Sequence, residues 1–180
     1  MSELTLLGVP GSLRREATNR KLLREAARLF GPDSFAEADL RFPLYDGDDE
    51  ASTGVPPAVQ HLADQIAAAD AVIISTPEYN SGPSGVLKNA LDWVSRVDGN
   101  PWAGKPVAVI SAAAGRSGGA LAQATLRSFM VPFQPHVVAG PAVHLAASSG
   151  EFDENGRLKS ERYAQTLEKL MANLRMAATG

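Results

Sequence analysis

The sequence predicts an α/β fold in which five parallel strands alternate with five helices, with helices on both faces of one open sheet. Two unbroken apolar runs, residues 71–74 and 107–110, are typical of strands that are covered on both faces. On either side of each run lie segments whose apolar residues recur at helical spacing. Strict alternation implies right-handed crossovers, and 180 residues suit one domain spanning residues 1–180.

The predicted strands are short apolar segments that end at turn-forming residues. Asp70 and Pro77 bound the clearest of them, whereas the segment after Phe35 is weaker because a long stretch rich in Asp, Gly and Pro follows it. The predicted strands occupy residues 4–9, 35–40, 71–74, 107–110 and 137–139.

Helices are predicted where apolar residues recur every three or four positions. The last of them, with Tyr163, Leu167, Leu170 and Leu174 on one side, is expected to pack back over the sheet. Residues 41–57 are predicted to form a long loop, and the acidic residues in it are expected to be solvated. The predicted helices occupy residues 22–30, 58–69, 86–94, 120–130 and 163–174.

Composition excludes several functions. A net charge of -3, without any cluster of Lys and Arg, argues against binding to nucleic acid or to a membrane surface. The chain has no Cys, which excludes thiolate and iron–sulfur chemistry, so redox activity would need a bound cofactor. The sequence shows neither a signal peptide nor a long apolar span, so a cytoplasmic location is expected.

In open parallel sheets, ligands bind beyond the carboxyl ends of the strands, beside the point where strand order reverses. Three loops follow predicted strands at that edge: residues 10–18, 77–83 and 111–119. The predicted site therefore lies among these loops.

The first loop combines groups that bind a phosphate monoester. Ser12 and Thr18 supply hydroxyls, Arg14 supplies a guanidinium, and the start of the following helix supplies free N–H groups. The alternative is an ordinary loop in which Thr18 or Ser12 caps the helix. The nucleoside-triphosphatase pattern and the G-x-G-x-x-G pattern are both absent.

The second loop is rich in Pro and Gly. These residues stiffen it and let its backbone approach a flat ring, and Asn80 offers both a donor and an acceptor. The alternative is a tight turn before an amphipathic helix, in which Lys88 and Asp92 form a solvated pair.

Together these segments resemble the NADPH-dependent FMN reductase family, which includes bacterial quinone, chromate and azo-dye reductases. The resemblance rests on G-S-L-R at residues 11–14 with Asn19 after it, P-E-Y-N at 77–80, L-K-N-A-L-D-W at 87–93 and A-G-K-P at 103–106. It extends from about Leu4 to Gly119. The chain departs from the family pattern at residues 83–85, which read Pro-Ser-Gly, and in its Ala-rich third loop.

The resemblance implies a flavodoxin-like three-layer sandwich with strand order 2-1-3-4-5 and non-covalently bound FMN. FMN would take hydride from NADPH or NADH and reduce a small acceptor: a quinone, flavin, azo compound, chromate or ferric iron. A homodimer or homotetramer is also implied, whereas no catalytic side chain and no metal ligand is. The implied FMN contacts are Ser12, Arg14, Thr18 and Asn19 for the phosphate, Pro77, Glu78, Tyr79 and Asn80 along the flavin, and Ser111 and Gly115 in the loop over the ring edge.

Two other functions compete with this one. Residues 115–119 fit the G-x-S-x-G pattern of serine hydrolases, but no Asp or Glu lies between Ser117 and His144, so a triad in the order of that fold cannot form. An electron carrier of the flavodoxin type would bind FMN without oxidising NAD(P)H. Arg14 and Arg15 argue against it, because such carriers use a phosphate loop without Arg.

Histidine and tryptophan give weaker signals. His61, His136 and His144 lack the spacing of metal ligands, so packing or surface roles are expected. Trp93 and Trp102 suit a subunit interface, and core packing explains Trp93 equally well.

Overall fold

The computed structural model describes residues 3–180. Its sheet is parallel throughout, with neighbouring strands in the order β2-β1-β3-β4-β5, and a sixth short strand also pairs with β4. This confirms the predicted strand order. The strands are β1 (Thr5–Pro10), β2 (Ser34–Glu37), β3 (Ala71–Thr76), β4 (Pro106–Ala112), β5 (His136–Val137) and β6 (His144–Leu145).

Helices cover both faces of the sheet, as predicted. Two apolar cores result, one between the sheet and α1 with α6, the other between the sheet and α3, α4 and α5. The helices are α1 (Thr18–Phe30), α2 (Gly47–Thr53), α3 (Pro57–Ala68), α4 (Gly85–Val94), α5 (Ala120–Met130) and α6 (Glu161–Thr179), with 3₁₀ turns at Val131–Phe133 and Ser148–Gly150.

Two short strands, β5 and β6, pair with β4 where the sequence predicted one. Val138 N–H still bonds to Val107 O at 2.8 Å, and pairing resumes where Ser111 N–H bonds to Val143 O at 3.2 Å. Gly140 and Pro141 lie between these contacts, and proline has no N–H to donate to a ladder. The predicted single strand at 137–139 is therefore wrong in its extent.

The predicted loop at 41–57 contains the helix α2. Asp46 caps it by accepting a hydrogen bond from Asp48 N–H at 2.8 Å, and three acidic residues occupy its first turn. Negative charge at a helix start is favourable, because it faces the positive end of the helix dipole. None of the residues of α2 is buried, and Asp48 and Asp49 are solvated as expected, whereas the Glu50 side chain, 18% exposed, pairs with Arg96 at 3.0 Å.

Both tryptophans belong to the core. Trp93 and Trp102 are each 1% exposed, so the core alternative is confirmed for Trp93 and the interface prediction is wrong for both. In the described residues 3–180, no helix is long and apolar enough to cross a membrane.

Glu25 is the buried carboxylate of α1, with a side chain 3% exposed. It accepts two hydrogen bonds from Arg28 and one, at 2.9 Å, from Arg157 in the loop before α6. Burial raises the pKa of Glu25, but the bonds from Arg28 and Arg157 outweigh burial and lower it overall. Glu25 therefore joins α1 to a loop more than 130 residues away.

Replacing Glu25 by Gln is expected to lower the free energy of unfolding by about 2 kcal/mol at pH 7. Breaking a fully buried pair costs about 3–5 kcal/mol, and the two arginines here are half exposed. Because the pKa of Glu25 is lowered in the folded protein, its carboxylate stabilises the fold above pH 4.5, and this stabilisation is lost as the pH falls through that lowered pKa. The difference in stability between wild type and Glu25→Gln should therefore shrink below pH 4.5. Urea unfolding at pH 7 and pH 3.5 measures the loss of stability, with Asp98→Asn on exposed surface as the control; an equal loss at both pH values would contradict the prediction.

Candidate functional site

A cavity of about 590 Å³ opens at the carboxyl edge of β1, β3 and β4. The three predicted loops form its walls, and a fourth segment at Ser148 and Ser149, which the sequence did not indicate, completes it. Eight predicted contact residues line this cavity: Ser12, Arg14, Thr18, Asn19, Pro77, Glu78, Tyr79 and Gly115. Asn80 and Ser111 do not line it.

The first loop is held against β3 by close backbone contact. Gly11 N–H bonds to Ser75 O at 2.8 Å, and Ser84 Oγ donates to Gly11 O at 2.6 Å. A Cβ at Gly11 would lie 3.0 Å from both Ser75 O and Pro77 Cδ. A side chain at position 11 would force β3 or Pro77 to shift, so glycine allows the first loop to pack this closely.

The start of α1 faces the cavity without a capping side chain. Its N-cap residue is Ala17, with no side-chain cap bond within residues 3–180, so the alternative of an ordinary loop capped by Thr18 or Ser12 is wrong. Thr18 Oγ1 instead accepts a bond from Ser148 Oγ at 3.0 Å. The first turn has no acidic residue, and Arg14 is exposed at the cavity. Uncapped N–H groups beside a cation form an anion site.

Arg20 fixes the loop that leads to this helix start. Its Nε donates to Ser12 O at 3.1 Å and its Nη1 to Glu37 at 3.0 Å. Sequence reasoning missed Arg20, because the pairing with Glu37 depends on β2 lying beside β1. Arg20 thus positions the first loop from outside the cavity.

The Asn19 side chain is only 3% exposed and is bonded to the sheet. Its Nδ2 donates to Ala112 O at 2.8 Å, and its Oδ1 accepts from Ala112 N–H at 2.9 Å and from Ser75 Oγ at 3.0 Å. Asn19 therefore joins the start of α1 to the ends of β3 and β4.

The second loop turns back on itself as a two-residue hairpin. Tyr79 and Gly82 exchange backbone hydrogen bonds of 2.9 and 3.1 Å, and the two residues between them, Asn80 and Ser81, have φ angles of 50° and 65°. Asn tolerates this left-handed conformation better than most residues do. The hairpin places Asn80 outside the cavity lining, whereas Tyr79, 56% exposed, lies at the rim.

Glu78 joins the second loop to the third. Its carboxylate accepts hydrogen bonds from Ser117 Oγ at 3.1 Å, Leu121 N–H at 3.0 Å and Ala122 N–H at 3.1 Å. Helix α5 has Gly119 as its N-cap residue and receives no side-chain cap from its own sequence. Glu78 thus caps α5 from a distance of about 40 residues along the chain.

Ser111 was predicted to belong to the third loop, but the structure places it in β4, where it supports that loop from behind. It is fully buried, donates to Gly118 O at 2.6 Å and accepts from Gln123 Nε2 at 2.8 Å. A Cβ at Gly119 would lie 2.6 Å from Ser111 Cβ, so the loop packs directly on this serine.

The geometry around Ser117 does not form a hydrolase site. Its hydroxyl donates to the Glu78 carboxylate, and no histidine bonds to it among residues 3–180. Burial, with the nearby Arg127 charge, lowers the pKa of His144 against the opposing effect of Glu78. In the same part of the chain, no three His, Asp or Glu side chains cluster as metal ligands.

The sheet is open and parallel, and at the point where its strand order reverses it carries an uncapped helix start and a glycine packed closely against a strand. These features define a doubly wound nucleotide-binding domain. Residues 4–150 match the family model of NADPH-dependent FMN reductases, and the chain belongs to that family.

Relatives and solved structures agree with this assignment. The chain is 40% identical over 176 residues to an NAD(P)H-dependent FMN reductase of Pseudomonas aeruginosa, covering 97% of this chain and 95% of the relative. It is 38% identical to a 2-hydroxy-1,4-benzoquinone reductase of a Burkholderia species, covering 91% of each. The solved structure of FerB, a flavoenzyme NAD(P)H:(acceptor) oxidoreductase of Paracoccus denitrificans, superposes with a TM-score of 0.87 at 31% identity, covering 98% and 97% of the two chains.

Proposed function

We propose that this chain is an NAD(P)H-dependent oxidoreductase that uses bound FMN to reduce a small acceptor, with quinones as the principal class. The observation that carries the proposal is the uncapped start of α1 beside Arg14, at the mouth of a cavity large enough for a nucleotide. Family membership and the two reductases at 38–40% identity support it.

The residues of the cavity fit FMN. The α1 start, the Ser12 and Thr18 hydroxyls and the Arg14 guanidinium would hold the phosphate dianion, which needs several donors and positive charge. Asn19 would position these groups, since its side chain is bonded to the sheet. When bound, FMN supplies hydride acceptance from reduced nicotinamide and electron delivery to the acceptor.

The second and third loops would hold the ring. Pro77 and Tyr79 present a stiff, partly apolar wall, and Gly115 lies opposite in the third loop. The N–H groups of Gly115, Arg116 and Ser117 make no hydrogen bond within residues 3–180, so they are available to stabilise negative charge on a reduced flavin. The N–H groups of Leu121 and Ala122, in the first turn of α5, are not available for this, because Glu78 accepts their hydrogen bonds.

The test begins with the visible spectrum of the protein after addition of FMN and removal of excess. Retained flavin absorbance that bleaches with NADPH or NADH without oxygen, and returns on addition of benzoquinone, is the expected result. Retained flavin that neither NADPH nor NADH bleaches would instead identify an electron carrier. Turnover of an ester without retained flavin would reject the proposal.

Replacing Arg14 by Ala is expected to raise the Kd for FMN about tenfold, because a charge-assisted hydrogen bond to phosphate contributes about 1.5–3 kcal/mol and this side chain is exposed. Riboflavin lacks the phosphate, so its Kd should not change. Quenching of flavin fluorescence measures both constants. Arg15→Ala, an exposed neighbour outside the cavity lining, is the matched control; equal effects of both variants would remove Arg14 from the phosphate site.

We also propose that the chain works as a homodimer or higher homo-oligomer in the cytoplasm, where NAD(P)H is supplied. Leu44, 82% exposed, and Tyr45, 39% exposed, form an apolar surface on the segment that packs on α4. Burying such side chains between subunits is favourable. Size exclusion with light scattering should give at least twice 18.9 kDa, and Leu44→Glu should reduce it to one chain; a monomeric wild type would contradict the proposal.

A further inference from the structure

We infer that Glu78 is a positioning residue that keeps two walls of the cavity together, because it bonds the second loop to the third loop and to the start of α5. The inference rests on the proposed function, because it concerns how the same cavity retains FMN. Glu78 would act through the third loop, by keeping the two walls at a fixed separation.

The contacts of Glu78 cross the cavity edge. The residue directly follows Pro77 at the end of β3, while its three partners belong to the loop and helix after β4. One carboxylate oxygen takes the bond from Ser117, and the other takes the bonds from Leu121 and Ala122. These contacts connect the two cavity walls formed by the second and third loops.

Helix α5 depends on this carboxylate for its cap. Gly119, its N-cap residue, has a φ angle of 92° and no side chain, and the first turn contains no acidic residue. Without Glu78, the N–H groups of Leu121 and Ala122 would lose their protein partner. The α5 start and the loop before it would then be free to move away from the second loop.

Apart from Glu78, the cavity wall formed by Gly115 and Ser117 is held through backbone carbonyls. Gly115 O accepts from Gly118 N–H at 3.3 Å and from Ala147 N–H at 3.5 Å, and Ser117 O accepts from Ala120 N–H at 3.2 Å. Ser117 is exposed and donates to Glu78, and no hydrogen bond from the N–H groups of residues 115–117 occurs in the part of the chain that the structure describes. Ser111 and the backbone of His144 support the loop at Gly118 and Gly119 instead. Glu78 is therefore placed to control the outer part of the third loop, where FMN would enter and leave.

The experiment compares FMN release from four proteins by stopped-flow fluorescence: wild type, Glu78→Ala, Glu78→Gln and Asp33→Ala. Glu78→Ala is expected to release FMN at least tenfold faster, since it loses bonds to a charged acceptor. Glu78→Gln keeps an oxygen for Leu121 and Ala122 and should stay within about threefold of wild type. Asp33, whose carboxylate accepts from Leu4 N–H at the far end of the sheet, is the matched control and should have no effect.

Amide hydrogen exchange in the flavin-free proteins provides a second readout that does not depend on FMN. Leu121 and Ala122 should exchange faster in Glu78→Ala than in Glu78→Gln or wild type. If both Glu78 variants released FMN equally faster, the carboxylate charge would act on FMN directly and not through the third loop, and the inference would be overturned. Unchanged release and unchanged exchange in Glu78→Ala would overturn it as well, whereas a wild type that binds no FMN would reject the proposed function alone.

Discussion

Replacing Gly118 by Ala is expected to lower the free energy of unfolding by about 3–5 kcal/mol. A Cβ at this position would lie 2.4 Å from His144 O and 2.5 Å from His144 C, both backbone atoms that cannot rotate away. The φ angle of 60° adds about 1–2 kcal/mol of strain for a residue with a side chain. Because Gly118 belongs to the third loop, β6 and the loop would have to separate.

Urea unfolding followed by circular dichroism measures this cost. Gly115→Ala is the matched control in the same loop, since nothing lies within 4 Å of its Cβ position and its φ angle is not positive. We expect the control to change stability by less than about 1 kcal/mol. A loss of less than about 1 kcal/mol in Gly118→Ala would show that the loop has room that the structure does not indicate.

Replacing Asn19 by Ala is expected to lower the free energy of unfolding by about 3 kcal/mol and to weaken FMN binding at least tenfold. Three buried hydrogen bonds are lost, and the Ala112 backbone and the Ser75 hydroxyl keep polar groups without partners. Each stranded buried group costs about 1–3 kcal/mol, less where water from the cavity can reach it. FMN binding falls because the α1 start would no longer be fixed.

Asn100→Ala is the control for Asn19. The Asn100 side chain also bonds to two backbone groups, of Phe133 and Trp102, but Asn100 is an exposed residue whose bonds water can replace. We expect it to cost about 1 kcal/mol or less. Thermal unfolding and flavin fluorescence compare the two variants, and equal losses would show that the burial of Asn19 contributes nothing.

The sequence predicted the sheet well because continuous apolar runs, as in β3 and β4, leave few alternatives for a strand of that length. It missed α2, although Asp46 followed by further acidic residues is a recognisable helix start. Composition alone favoured a loop there. It also missed the strand β6, which lies beyond Gly140 and Pro141 and pairs with β4 over only two residues.

Within the site, the sequence located the loops but not the partners of their side chains. Asn19 bonds to residues 56 and 93 positions away, and Glu78 bonds to residues 39–44 positions away. Such contacts depend on how strand ends and helix starts meet in space, and no local pattern encodes them. The roles that we propose for Asn19 and Glu78 therefore required the structure.

Ser148 and Ser149 form the last wall of the cavity, and they belong to the final quarter of the chain. The Ser148 backbone bonds to Ala113 O at 3.1 Å, and its hydroxyl bonds to Thr18. A chain growing on the ribosome would thus expose the first loop long before this wall emerges. Since domains fold as units during synthesis, FMN should join a nearly finished polypeptide and help little in the early stages of its folding.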